Sequence, residues 1–179
     1  MRECVSGGAW LQAMLDFEVA LAAAEARAGV IPTEAAEAIA AGCDPERFDP
    51  GAIGTRARAA GNPAVPLVRS LAESVGGEAG GFVHWGATSQ DAIDTASMLV
   101  ARRARALIEA DLAGVAAACA RLAAEHRATI MPARTLLQQA SPTTFGLKAA
   151  GWLAAVVDAR RRLGGVGLAV QLGGAAGTL

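Results

Sequence analysis

An all-α fold is predicted for this chain, with an N-terminal helical domain at residues 1–110 leading into the first part of a long-helix bundle at residues 111–179. Composition is the first indication. Hydrophobic residues make up 53% of the chain and charged residues only 18%, and much of the apolar content is alanine, the strongest helix former. Spacing is the second: apolar residues recur at steps of three and four, with glycine and proline between the segments. The third is a helical pattern from Ser89 to about Arg127 that contains no proline and no paired glycine. A run of that length exceeds ordinary globular helices and reads as a bundle strut. No internal repeat or strand-like alternation is evident.

In the first helix, Trp10, Met14, Phe17, Leu21 and Ala24 mark one apolar face, with Gln12, Asp16, Glu18 and Glu25 falling mostly elsewhere, and Gly29 ends it. Pro32-Thr33-Glu34 opens a second helix that Gly42 closes. A third is expected from Gly51 to Ala60, stopped by Gly61-Asn62-Pro63, and a fourth carries Leu67, Leu71 and Val75 as far as Gly76-Gly77. After the long helix, Met131-Pro132-Ala133 interrupts the pattern. Pro142 then suits the first turn of a last helix through Trp152, Val156 and Leu163. That helix has no return partner before Leu179, so the sequence reads as incomplete.

Charge and cysteine usage exclude several function classes. A net charge of -1 gives no electrostatic reason to expect nucleic acid or an anionic membrane as partner. Cys4, Cys43 and Cys119 are odd in number and lack metal-ligand spacing, which suits reduced thiols in the cytoplasm. The N-terminus, with Arg2 and Glu3, has no signal-peptide pattern, and no apolar run is long and clean enough to span a bilayer. So apolar a helical chain is expected to bury further surface by oligomerising.

Polar chemistry concentrates in two stretches. In Val83-His84-Trp85-Gly86-Ala87-Thr88-Ser89-Gln90-Asp91, Thr88 is the expected N-cap of the long helix and Asp91 its capping-box partner. A helix N-terminus suits a carboxylate or phosphate, and the Thr88 and Ser89 hydroxyls add donors there. His84 is the titratable candidate for proton transfer or charge stabilisation. The same residues also describe an ordinary capped helix with a histidine in its approach loop. The second stretch runs from Arg134 to Gly146. Asn62, in the loop beside Gly61 and Pro63, is either a turn former or an amide that reaches a ligand.

Together the two stretches resemble the first and second shared regions of the fumarase/aspartase superfamily, in its adenylosuccinate-lyase-like branch. Arg134, Thr135, Gln138, Ala140, Pro142, Thr144 and Gly146 fit the usual G-R-T-H-x-Q-x-A-x-P-x-T-x-G. Ala133 stands where glycine is usual, and Leu136 where histidine is usual. The run Trp10 to Glu18 and the segment Gly29-Val30-Ile31-Pro32 also look like this branch, so the resemblance covers nearly the whole chain. The run from Ala60 to Val68, with both polar stretches, is similar to the superfamily's lactonising cycloisomerases. Leucine cannot carry a proton, so Leu136 argues against the purine-pathway lyases.

The resemblance implies a cycloisomerase of aromatic-compound breakdown, closing a tricarboxylate diene to a lactone by adding one carboxylate across a C=C bond. It implies no cofactor (no nicotinamide, flavin or metal), a small tricarboxylate substrate and a homotetrameric full-length form. His84 and Ser89 are then the expected catalytic residues, with Thr88, Arg134, Thr135, Gln138, Thr144 and Asn62 binding substrate. Arg134 reads either as a bidentate carboxylate clamp or as a tie between loops, and Gln138 either as a donor or as a backbone partner in a bend. Lys148 and His126 read as surface and capping residues, Trp85 and Trp152 as packing. The superfamily's third region, a mobile serine-bearing loop, is expected beyond Leu179, so this chain alone is expected to be inactive. Two other readings remain: a β-elimination lyase like adenylosuccinate lyase, and a non-catalytic helical oligomerisation fragment.

Overall fold

The computed structural model describes residues 1–178. The chain forms α1 (Gly7–Arg27), α2 (Thr33–Gly42), α3 (Pro50–Ala60), α4 (Ala64–Val75), α5 (Ser89–Glu125), β1 (Ile130–Thr135), β2 (Gln138–Thr144) and α6 (Phe145–Gly164). Single 3-10 turns lie at Glu3–Val5, Pro45–Arg47 and Ala79–Phe82. Two compact units result. One comprises Met1–Ala104 with the segment from Leu168, and the other Arg105–Gly167.

Local chemistry accounts for the helix ends in the first unit. Ser6 Oγ accepts from Ala9 N at 3.2 Å to cap α1, and Asp49 Oδ1 accepts from Gly51 N at 2.9 Å to cap α3, whose first residue is Pro50. Gly61 ends α3 at φ 79°, in the left-handed region where a side chain is penalised. The core joins Leu11, Met14 and Leu15 of α1 to Ile39 of α2, Ile53 of α3, Leu67 and Leu71 of α4, and Ala96 and Val100 of α5. A second cluster packs Phe17, Leu21, Ala64 and Ala92. The α1 face is wider than its spacing indicated, because Leu11, Leu15, Glu18 and Ala22 form a second buried stripe beside Met14, Phe17 and Leu21. Glu18, expected on the polar side, is therefore inside.

Two expectations are corrected in the second unit. The stretch from Ile130 to Thr144 is an antiparallel hairpin pairing Ile130 with Thr144, Pro132 with Pro142 and Thr135 with Gln138, with an irregularity between Pro132 and Arg134. Its turn, Leu136-Leu137, has φ 41° and 63°. Two-residue hairpin turns require such angles, but asparagine and glycine usually supply them, and a proline interrupts each strand, with the β-branched Ile130, Thr135, Thr143 and Thr144 confined to the strand ends. Pro142 consequently lies in β2, and α6 begins at Phe145 with Thr144 Oγ1 accepting from Leu147 N at 3.1 Å. Leu107, Val115, Leu147, Trp152 and Val157 are exposed in this unit.

Gly146 is the tight point of the same unit. A Cβ there would lie 2.7 Å from the carbonyl oxygens of Ala123 and His126 and 2.8 Å from Arg127 Cα, all backbone that cannot turn aside. Gly146→Ala is expected to destabilise the protein by about 1–3 kcal/mol, the usual range for overpacking, read as a lower denaturant midpoint. An unchanged midpoint would mean that the α5 end and the α6 start separate more readily than this packing requires.

Candidate functional site

Asp91 is fully buried and is the anchor of the site. Its Oδ2 accepts from Thr88 N at 2.9 Å and Gly174 N at 3.0 Å. Its Oδ1 accepts from Gly173 N at 3.0 Å and Gln171 Nε2 at 3.4 Å. One turn later Thr95 Oγ1 accepts from Gln171 N at 3.0 Å and lies 3.3 Å from Gln171 O. Asp91 thus provides the reciprocal half of the predicted capping box and also holds the glycine-rich segment 171–174. Burial alone would raise its pKa, but the hydrogen bonds from Thr88, Gly173, Gly174 and Gln171 outweigh it and hold the carboxyl below its ordinary 3.8.

Immediately before α5 the chain turns sharply, with His84 at φ 61° and Gly86 at φ 68°. Glycine adopts such an angle freely, whereas histidine must be held there. The hold comes from α1. His84 Nδ1 lies 2.7 Å from Glu18 Oε1, the two side chains retaining only 13% and 2% of their exposure. The Phe17 ring meets the imidazole edge-on at 6.2 Å. Burial disfavours a charged imidazole, but the Glu18 hydrogen bond and the charges of Glu18 and Asp91, with hydrogen bonding to the Thr88 backbone, outweigh it. The His84 pKa lies above its ordinary 6.5. A second carboxylate of α1, Glu25, has its own pKa raised by burial and by the Glu18 charge, against an opposing effect of His84.

Glu18 Oε2 and Glu25 Oε2 are buried without a hydrogen-bond partner. Glu25 lines a cavity of about 350 Å³ together with Leu21, Ala24, Trp85, Gly86 and Leu172. The Glu18 and Glu25 roles were missed in the sequence because both acids were assigned to the polar side of α1. The signal available was the Leu11, Leu15, Ala22 spacing, which puts Glu18 on an apolar stripe. Cys43 is buried and its thiol is pushed up to about 12, first by burial and then by Glu18 and Asp16, so it offers no thiolate near neutral pH.

The structure brings His84, Thr88 and Ser89 together at the start of α5, with Ser89 the first helical residue. Asn62 lies in the same unit, where its Oδ1 accepts from Val65 N at 3.1 Å at the start of α4. The remaining predicted residues belong to the second unit. Arg134, Thr135 and Gln138 are exposed on the hairpin, and Thr144 is engaged as the α6 cap. Leu136 is 87% exposed at the hairpin turn. Lys148 stands 5.6 Å from the Trp152 ring, and His126 Nδ1 is 3.2 Å from Thr129 Oγ1. Among the described residues, no group of three or more His, Cys, Asp or Glu is arranged to hold a metal ion, and no helix is long and apolar enough to cross a membrane.

Comparison with known proteins matches residues 3–179 to a family described as lyase. A nitrosuccinate lyase from Streptomyces davaonensis is 53% identical over 180 residues, which cover 98% of this chain and 38% of that protein. A 3-carboxy-cis,cis-muconate cycloisomerase from Bradyrhizobium diazoefficiens is 50% identical over 185 residues, covering 100% of this chain and 41% of that protein. The crystal structure of 3-carboxy-cis,cis-muconate lactonizing enzyme from Pseudomonas putida superposes with a TM-score of 0.95 at 47% identity. The match covers 99% of this chain and 42% of that one. The chain thus spans about two fifths of the length of the curated relatives it matches.

Asp91→Asn keeps the shape of the anchor and removes its charge. It is expected to cost about 1.5–3 kcal/mol at neutral pH, the range for hydrogen bonds to an ionised group. Because the folded-state pKa is depressed, this stabilisation is fully present above the ordinary 3.8 and is lost as pH falls through the lower folded value. Denaturation curves of both proteins should therefore converge in acid. A gap that persisted unchanged to the lowest pH at which both fold would rule out the carboxylate's charge as its source.

Proposed function

The chain belongs to this lyase family, and from that premise we propose that it is part of a cycloisomerase closing 3-carboxy-cis,cis-muconate to a carboxymuconolactone in protocatechuate catabolism. The observation that carries this reading is the match along the whole chain, in sequence and in fold, to proteins named for that substrate. The reaction joins a substrate carboxylate oxygen to one alkene carbon and delivers a proton to its neighbour. Electrons and atoms balance within the substrate and one exchanged proton, so no redox partner enters. The residues' task is to hold carboxylates in attack geometry and to stabilise the negative charge that develops beside one of them.

At the start of α5, the Thr88 and Ser89 hydroxyls and the unpaired N–H groups of the first turn favour a carboxylate. His84 adds positive charge there when protonated. Arg134, Thr135, Gln138 and Thr144 are proposed as further substrate contacts, with the Arg134 guanidinium suited to a bidentate grip and left exposed by the hairpin. Asn62 is assigned a lesser, loop-ordering role, since its carbonyl already serves Val65. An exposed leucine at position 136 supplies no proton, which supports a route different from that of the purine lyases. We assign the complete protein to a cytoplasmic homotetramer, a reading supported by the free Cys4, Cys43 and Cys119 and by the exposed apolar side chains of the second unit.

A second reading has a specific observation in its favour, the 53% identity to a nitrosuccinate lyase. β-Elimination from nitrosuccinate would use the same carboxylate grip in the opposite sense, removing a proton from the carbon beside a carboxylate and expelling nitrite. Two assays on the complete protein separate the readings. Loss of conjugated-diene absorbance from the carboxymuconate without any added cofactor supports the cycloisomerase, and nitrite release from nitrosuccinate supports the lyase. Turnover of neither substrate would overturn both.

Ser89→Ala and Arg134→Ala are each expected to lower turnover of the active substrate by about one to two decades. That matches the loss of a hydrogen bond to a charged group, about 1.5–3 kcal/mol. Wild-type kinetics in both variants would remove these residues from the site.

A further inference from the structure

We propose that Glu18 is a positioning residue: acting through a protonated His84, it holds the turn that presents Thr88 and Ser89 at the start of α5. The proposal rests on the site reading above, since it gives those two hydroxyls something to be positioned for.

Four observations meet at this pair. The His84 backbone is left-handed, and Gly86 is left-handed two residues later, so the turn adopts a shape that its histidine does not favour. The downstream end of the turn is fixed by Thr88 N to Asp91 and the upstream end by buried Val83. Between them, the side-chain hydrogen bond that ties the turn to α1 is His84 Nδ1 to Glu18 Oε1, spanning 66 residues of sequence. Finally, Glu18 is buried and His84 largely so, and Glu18 Oε2 has no donor of its own, so His84 is the hydrogen-bonded partner that compensates the Glu18 charge. A buried carboxylate so dependent on one imidazole keeps that imidazole protonated and in place. The ion pair is thus a strut between α1 and the approach to α5, and Glu18 is required without touching substrate.

The charged groups around His84 are Glu18 and Glu25 from α1 and Asp91 from α5. Asp91 is committed to Thr88 and the glycine-rich segment, and Glu25 makes no hydrogen bond to the ring. The specific claim is therefore that Glu18, and not its neighbours, sets the state of His84. The direction of its pKa agrees, lying above the ordinary 6.5. The contribution of the protonated form is fully present below the ordinary 6.5 and is lost as pH rises through the raised value.

The test is an NMR titration of the His84 ring in the complete protein without substrate, with the signal assigned by its loss in His84→Asn. In the wild type, His84 should titrate above 6.5. In Glu18→Gln its midpoint should fall, and in Glu25→Gln it should stay close to wild type. On whichever substrate the protein turns over, Glu18→Gln should reduce kcat about tenfold to a hundredfold, the scale of a misplaced site. The alkaline limb of its pH profile should move to lower pH, which a merely structural loss would not do. A wild-type His84 titrating at or below 6.5 overturns the proposal even if Glu18→Gln fails to fold, as does an equal shift in Glu25→Gln. If the titrations come out as expected and neither substrate is turned over, the functional reading fails while the Glu18–His84 pair stands.

Discussion

A buried carboxylate has to be met by donors or neutralised, and Asp91 is met four times over. Much else follows from that requirement. Thr88 N must point inward, which fixes where α5 begins, and Gly173 and Gly174 must bring their N–H groups alongside, which fixes the path of the last described segment. Thr95, one helical turn further on, repeats the arrangement with a hydroxyl. The N-terminus of α5 is thereby partly occupied by the protein's own anion, and Ser89 sits at its edge.

His84 and Glu18 satisfy the same electrostatic demand in another way. Where Asp91 draws on backbone amides, Glu18 draws on a side chain that can itself lose its proton. One anchor is therefore fixed across the ordinary pH range, and the other depends on the ionisation of an imidazole. Their directions of pKa change express this difference, Asp91 downward through hydrogen bonds and His84 upward through its carboxylate partner against the cost of burial. Placing both anchors around one short turn leaves Thr88 and Ser89 with little freedom, which suits the carboxylate site proposed there.

In the second unit the organising constraint is steric. Gly146 admits the close approach of the end of α5, while the hairpin before it turns through two leucines at positive φ. Left-handed backbone at a residue with a β-carbon costs about 1–2 kcal/mol, and here the side chains return nothing by burial, since Leu136 and Leu137 are almost fully exposed. Arg134, Thr135 and Gln138 flank that turn and are exposed with it.

The helical elements of the first unit are closely legible in the order of its residues. Gly42, Gly61 and Gly76-Gly77 stop α2, α3 and α4 where glycine punctuation implied, and α5 begins at Ser89, because caps and helix breakers act through the few residues around them. The sequence also located the two polar stretches, whose motifs are local strings. It did not reveal the hairpin, where proline breaks the pattern of each strand and the Leu-Leu turn carries none of the usual turn residues. Nor did it reveal the burial of Glu18. A glutamate on a helix reads as solvated until the opposite wall of the core is known, and here that wall is a turn 66 residues away that brings an imidazole to 2.7 Å. The grip of Asp91 on residues 171–174 was hidden for the same reason. Hydrogen bonds between residues some 80 positions apart have no periodicity to read, and only the folded chain decides which donors reach a buried charge.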